Sequence, residues 1–220
     1  MAIVLFDFDG VLVRRDSFES YLRMRLRRQP WRLLAVFPML PLLPLLLSSV
    51  RVKGWLARVL MRVATCGLDE MRFQADIRAF GRRFIGIPGI AVHQAVARLR
   101  EHLNAGDRVL VVSATAQPLL NAMLDELGLG GAVEALGSSV AVRWSGVHAL
   151  FHNYGRAKIV TLTGLGLSPP WAAVYTDSRS DLPMLVGAQR SVLVNPSARD
   201  LHAVRAALGA KLEIVEWIQD

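Results

Sequence analysis

Cysteine is nearly absent from this 220-residue chain. Cys66 is the only one, so an internal disulfide framework is excluded. A reducing cytoplasm is then the default setting, although a secreted protein without disulfides would read the same. The amino terminus lacks a basic leader and a small-residue cleavage site. MAIVLF is an apolar run ended by Asp7, which argues against a signal peptide. Acids are scarce in one place: from Arg14 to Arg62 eleven Lys or Arg face two acids, while the remainder of the chain is nearly balanced. The formal net charge of +8 is therefore local. The same segment carries the uncharged run LLAVFPMLPLLPLLLSSV at 33–50, with Pro38, Pro41 and Pro44 spaced three apart. What the chain has in quantity is apolar side chains, 53% of residues, ample for a packed core.

A basic excess and an apolar run in one segment favour an anionic membrane surface, where cations meet headgroups and apolar side chains enter the acyl boundary. Nucleic acid could use Trp31 and Trp55 as stacking platforms, but the leucine-rich run between them has no use there, so no nucleic-acid partner is expected.

Outside that segment the pattern alternates. AIVLF (2–6), RVLVV (108–112), AAVY (172–175) and SVLV (191–194) are short β-rich runs suited to strands buried on both faces. Helical spacing covers 90–104, 117–127 and 156–165, stopping at Gly106, Gly128 and Gly166. The alternation predicts an α/β fold with a Rossmann-like, doubly wound parallel sheet as its core. SSVAVRWSGVHALF (138–151) predicts a small antiparallel β-hairpin about WSG. Residues 16–88 interrupt this order and read as helical. Asp16 with Glu19 resembles a capping box opening a helix through Arg28, and another helix fits 69–84. Between them Val52, Trp55, Leu56, Val59, Leu60 and Val63 share one helical face, with Arg51, Arg58 and Arg62 on another. The glycines at 128–131 follow a helix instead of a strand, so they read as helix termination and not as a nucleotide loop.

The chemistry is carried by four short motifs. In FDFDGV, at the end of the first strand, side chains two apart point the same way, which predicts that Asp7 and Asp9 project together from the carboxyl edge of the sheet. Two carboxylates so placed repel unless a cation sits near them. Gly10 then lets the chain turn away. VVSAT places Ser113 after the second strand and before a helix, where a hydroxyl and free amides can hold a phosphate oxygen. YTDSRSDLPML places Asp177 and Asp181 after the third strand, and Lys158 in GRAKIV supplies a cation. Each of Ser113, Asp177 and Asp181 could instead cap a helix. His148 and His152, four apart on a strand, would stand about 13 Å from one another, too far to share an ion. Cys66 reads as a small core residue.

With DFDGV, Ser113, Lys158 and DSRSD in this order, the chain resembles the haloacid dehalogenase superfamily of phosphohydrolases over residues 1–14 and 89–220. The resemblance implies that Asp7 is the nucleophile, forming an aspartyl phosphate, and that Asp9 protonates the leaving oxygen and then activates water. It further implies Mg²⁺ on Asp7, the Asp9 carbonyl and Asp177, with Asp181 acting on the metal shell through water. Gly10, Ser113, the Ala114 amide and Lys158 are the expected phosphate contacts. Asp16 stands where the phosphoserine phosphatase branch carries a substrate-touching acid, yet capping explains it equally. Val11 and Thr176 depart from the residues many relatives carry, threonine and glycine.

The insertion, 15–88, falls where this superfamily places an all-helical cap (C1 type) over the active site. Eighteen residues would span about 27 Å as a helix, close to a hydrocarbon layer of about 30 Å. A single crossing is excluded because Asp7 and Ser113 must meet on one side, so only a shallow, re-entrant or double-pass segment remains. Arg23, Arg25, Arg27, Arg28 and Arg32 precede the run and Arg51, Lys53, Arg58 and Arg62 follow it. The alternative is that its leucines pack inside the cap or at a dimer interface. The cap's opening resembles that of phosphatidylglycerophosphatase C, which implies a lipid phosphate monoester as substrate and a place at the inner face of the cell membrane. The alternatives are a soluble small-metabolite phosphatase and a non-catalytic membrane-associated protein.

Overall fold

The computed structural model describes residues 1–35 and 50–217. After β1 (Ile3–Phe6) come three helices, α1 (Ser17–Arg28), α2 (Val50–Thr65) and α3 (Glu70–Ile85). Then α4 (His93–Asn104), β2 (Arg108–Ala116), α5 (Gln117–Glu126), β3 (Glu134–Arg143) and β4 (Gly146–Phe151) follow. The chain continues through α6 (Arg156–Gly164), β5 (Trp171–Thr176), α7 (Leu182–Val186), β6 (Ala188–Val194), α8 (Ala198–Leu208) and β7 (Leu212–Val215). The seven strands form one sheet in the order β4-β3-β2-β1-β5-β6-β7, parallel throughout except between β3 and β4. This is the expected Rossmann-like α/β fold. The strand order switches at β1, with β2 and β3 on one side of it and β5 to β7 on the other, so the carboxyl ends of β1, β2 and β5 bound a crevice.

Alternation along the strands divides the core. Val4, Phe6, Val109 and Val111 belong to one buried cluster and Leu5, Leu110 and Val112 to the other, as two covered faces require. The first cluster runs without a break into the inserted helices through Tyr21, Phe73, Ile77 and Phe80. Tyr21 and Phe80 meet edge to face at 5.4 Å between ring centroids. On α3, Gly81 lies against the Ala122 backbone of α5. The helices between β1 and β2 are thus packed onto the sheet domain's own apolar core.

Four local features depart from the sequence reading. β2 continues to Ala116 instead of stopping at 112, with an irregular register against β3 between Val112 and Ala116. The hairpin is continuous with the main sheet, because β3 starts at Glu134, pairs first with β2 in parallel and only then with β4. α8 and the edge strand β7 were not foreseen; LEIV is too short for its period to register. Among the described side chains of α2 (55–65) the buried ones are Met61, Ala64 and Thr65, offset from the predicted face, whose Leu56, Val59, Leu60 and Val63 are partly buried. The reason is β4, whose Val147 N–H donates to Thr65 Oγ1 at 2.7 Å and draws that side of the helix inward.

The apolar run at 33–50 lies mostly outside the described residues. At its ends Trp31, Leu33, Leu34 and Trp55 are exposed. Among the described residues no helix is long and apolar enough to cross a membrane. Two arginines read as flanking charge are structural instead. Arg25 Nε donates to Ala64 O and Arg32 Nη1 to Val63 O, both at the carboxyl end of α2, where cations oppose the helix dipole. Arg25 also pairs with Asp76.

Candidate active site

Asp7 directly follows β1 and its N–H donates to Tyr175 O of β5, which fixes it at the sheet edge. Its carboxylate accepts the Phe8 N–H at 2.8 Å and meets Lys158 Nζ at 3.0 Å. The same ammonium donates to Asp181 Oδ2 at 2.7 Å, so Lys158, from the first turn of α6, bridges two carboxylates while itself 2% exposed. Thr176 Oγ1 also donates to Asp181 Oδ2, at 2.9 Å. This is the physical use of the threonine that departs from the family pattern. Asp181 Oδ1 is buried without a hydrogen-bond partner.

Asp9 is held differently. The strand ends at Phe6, and a tight turn follows in which the Phe8 carbonyl accepts from Leu12 and Val13. The strand therefore stops short of Asp9, whose carboxylate has partners of its own: the Ser17 N–H at 2.8 Å and the Thr115 hydroxyl at 2.8 Å. Ser17 Oγ and Thr115 Oγ1 are in turn 2.7 Å apart. Gly10 makes the turn possible with φ +80°, and a Cβ there would sit 2.1 Å from Asp177 Oδ2. Both the left-handed backbone and the covering carboxylate require glycine. Gly10→Ala is expected to destabilise the fold by about 1–3 kcal/mol and to displace Asp177. Urea denaturation would show the first, and a loss of turnover larger than that of a surface Gly→Ala control the second.

Ser113 lies inside β2 and not at a helix amino end, a correction that follows from the longer strand. It is fully buried, and its Oγ accepts the Thr115 N–H at 3.0 Å. Asp16 caps α1, accepting the Glu19 N–H at 2.7 Å, while Glu19 pairs onward with Arg23 instead of returning to the cap. Asp177 and Asp181 make no side-chain cap; Ser178 caps the turn between them.

The electrostatics are those of crowded acids. Burial pushes the Asp7 carboxyl up and Lys158 opposes it, but Asp181 and Asp177 add repulsion, and the net lies well above the ordinary value. Burial pulls the Lys158 ammonium down, yet Asp7 and Asp181 outweigh it and the net is upward. Asp9 is raised to about 6, chiefly by burial and then by Asp16, against the lowering bonds from Ser17 and Thr115. Asp177 is also raised to about 6, by burial and by Asp181. Asp7 and Asp181 share the Lys158 ammonium and Asp177 adds a further acid beside them, so a divalent cation would neutralise the remaining charge. Among the described residues no three His, Cys, Asp or Glu side chains form a ready cage. Two carboxylates and a carbonyl completed by water are nevertheless a donor set that suits Mg²⁺, and the orphaned Asp181 Oδ1 requires a partner.

Beside this cluster opens a cavity of about 780 Å³. Asp9, Asp16, Ala114, Thr115 and His152 line it from the site, and Phe18, Leu22, Leu26, Leu33, Ala57 and Leu60 from the inserted helices give it a mainly apolar wall, to which Glu19, Arg23 and Arg27 of α1 add charge. Sequence reasoning missed Thr115, Ser17 and His152. The neighbouring SAT tripeptide was a signal for Thr115; His152 was weighed only as a metal ligand.

A parallel α/β sheet with clustered aspartates and a buried lysine at its carboxyl edge defines a hydrolase-type active site. Residues 4–186 match the haloacid dehalogenase-like hydrolases, and the chain belongs to that family. A Mycobacterium tuberculosis protein named phosphoserine phosphatase SerB1 is 34% identical over 102 residues, covering 44% of this chain and 33% of that protein. The matched region thus spans about a third of that relative's length. A Bordetella pertussis protein of unknown function shares the fold with a TM-score of 0.68 at 21% identity, over 98% of both chains. A phosphoserine phosphohydrolase-like protein from Francisella tularensis does so with a TM-score of 0.59 at 14% identity, over 97% of this chain and 95% of the other.

Proposed function

We propose that the protein is a Mg²⁺-dependent phosphomonoesterase whose substrate is an amphiphilic phosphate, in particular a membrane lipid phosphate such as phosphatidylglycerophosphate. The observation that carries this is the continuity of the Asp9 end of the site with a mainly apolar cavity wall contributed by α1 and α2. Residues 15–88 then act as the cap and 1–14 with 89–220 as the hydrolase core.

In this mechanism a carboxylate oxygen of Asp7 attacks phosphorus, the ester P–O bond breaks, and Asp9 gives its proton to the departing oxygen. A carboxyl raised to about 6 retains a useful acid fraction near neutrality. Asp9 then takes a proton from the water that attacks the aspartyl phosphate, releasing phosphate and restoring Asp7. Lys158, held beside Asp7, offsets phosphate charge as it builds. Asp7, Asp177 and the Asp9 carbonyl would hold Mg²⁺, which supplies charge neutralisation for the two approaching anions.

Exposed Trp31, Leu33, Leu34 and Trp55, of which Leu33 lines the cavity, support docking at an anionic membrane surface. A soluble reading, with phosphoserine or a similar metabolite as substrate, is favoured by the name of the mycobacterial relative and by Asp16 in the cavity. A membrane-associated protein without turnover is the third possibility. Phosphate release from phosphatidylglycerophosphate in mixed micelles and from phosphoserine, each with Mg²⁺ and with chelator, separates them. The lipid is expected to turn over at least about tenfold faster, and only with metal. The reverse preference would establish the soluble reading, and no turnover of either would end the enzymatic one.

A further inference from the structure

His152 sits just past β4 in a bonded chain that leads back to the phosphate end of the site. Ser138 Oγ donates its single proton to the Ala114 carbonyl at 2.6 Å. It also accepts the Asn153 N–H at 3.0 Å and lies 3.3 Å from His152 Nδ1. With its proton committed to Ala114, the serine oxygen can only accept from the imidazole, so Nδ1 carries the hydrogen. In the neutral ring Nε2 is then an acceptor. Burial lowers the affinity of this ring for a second proton, against a raising effect of Asp16.

The ring is also held in place. It stacks on Tyr154 with 8° between planes at 5.6 Å. Asn153, fully buried, anchors the adjacent backbone by donating from Nδ2 to Leu136 O and accepting from Thr161 Oγ1. Of the groups that line the cavity from the site, Asp16 and His152 thus both offer acceptors, and they share that side with Asp9, the residue placed to protonate the departing oxygen.

We propose that His152 is a specificity-determining residue that accepts a hydrogen bond from a donor group, hydroxyl or ammonium, on the departing alcohol. The proposal rests on the phosphomonoesterase reading and narrows it to monoesters of polyols or amino alcohols. The ring is exposed to solvent, so the discrimination arises where a bound ester covers it: an analogue lacking the donor then leaves the covered acceptor unpaired.

The test compares kcat/KM for glycerol 3-phosphate, phosphoethanolamine and n-propyl phosphate, which has no donor. In the parent protein at least one donor-bearing ester is expected to exceed propyl phosphate by about tenfold or more. In His152→Ala that ratio should fall to near one, through a loss confined to the donor-bearing ester. His152→Gln, which can still present an acceptor, should restore part of it. Which ester leads identifies the donor as hydroxyl or ammonium. A preference unaltered in His152→Ala, an equal loss on all three esters, or no preference in the parent protein would overturn the assignment. Failure of the parent protein to hydrolyse any ester, p-nitrophenyl phosphate included, would instead sink the phosphatase reading itself.

Discussion

Asp7→Asn is expected to lower phosphate release by at least roughly three orders of magnitude, about 4 kcal/mol in the activation barrier, while leaving the thermal midpoint unchanged or higher. The two readouts separate for a physical reason. The amide keeps the size of the side chain but cannot form an acyl phosphate by nucleophilic attack. In the folded protein, however, the Asp7 charge is held against its own preference, by burial first and then by Asp181 and Asp177. Removing that charge relieves repulsion, and Lys158 retains its shorter bond to Asp181. Turnover with Mg²⁺ and a thermal melt on the same preparation suffice. Undiminished turnover would end the aspartyl-phosphate mechanism, and a large drop in the midpoint would show that Asp7 is chiefly a structural partner of Lys158.

How much of this was legible beforehand varies with the range of the interaction. The sheet was readable because strands buried on both faces leave continuous apolar runs, and glycines marked where helices stop. Asp7, Asp9, Lys158, Asp177 and Asp181 could be named because each belongs to a short local pattern at a strand or helix end. Three things were not local. The partition of Asp7 and Asp9 onto different partners depends on Ser17 and Thr115, the latter 106 residues from Asp9. The fate of Arg25 and Arg32 depends on carbonyls at the far end of α2, which no charge count along the chain reveals. His152 acquires its meaning only from Ser138 and from a cavity whose other wall is α1. The extension of β2 through Ser113 was missed because SATA lacks the valines and isoleucines that announce a strand, and pairing of Ala116 with Ser138 of β3 overrides its weak propensity.

Lys158→Met is expected to be the most destabilising single change at the site, by about 3–5 kcal/mol, because it removes the ammonium from buried carboxylates while nearly preserving volume. For a chain of this size that corresponds to a fall of roughly 8–15 °C in the thermal midpoint. Turnover should fall as well, since no other described cation contacts Asp7. A lost contact and an uncompensated charge predict different behaviour in a second substitution. If Lys158 matters only through its packing and hydrogen bonds, adding Asp181→Asn to Lys158→Met should cost further stability, because Thr176 then loses its charged acceptor. If neutralisation dominates, the double variant should recover about 1–2 kcal/mol relative to Lys158→Met, since one of the acids facing Asp7 is gone. The second outcome is expected: the Asp181 charge already raises Asp7 in the intact protein, and without the ammonium that repulsion has no counterweight. Chemical denaturation of the parent, both single variants and the double variant closes the cycle, and a coupling energy of the opposite sign would refute the view of this site as acids assembled around too little positive charge.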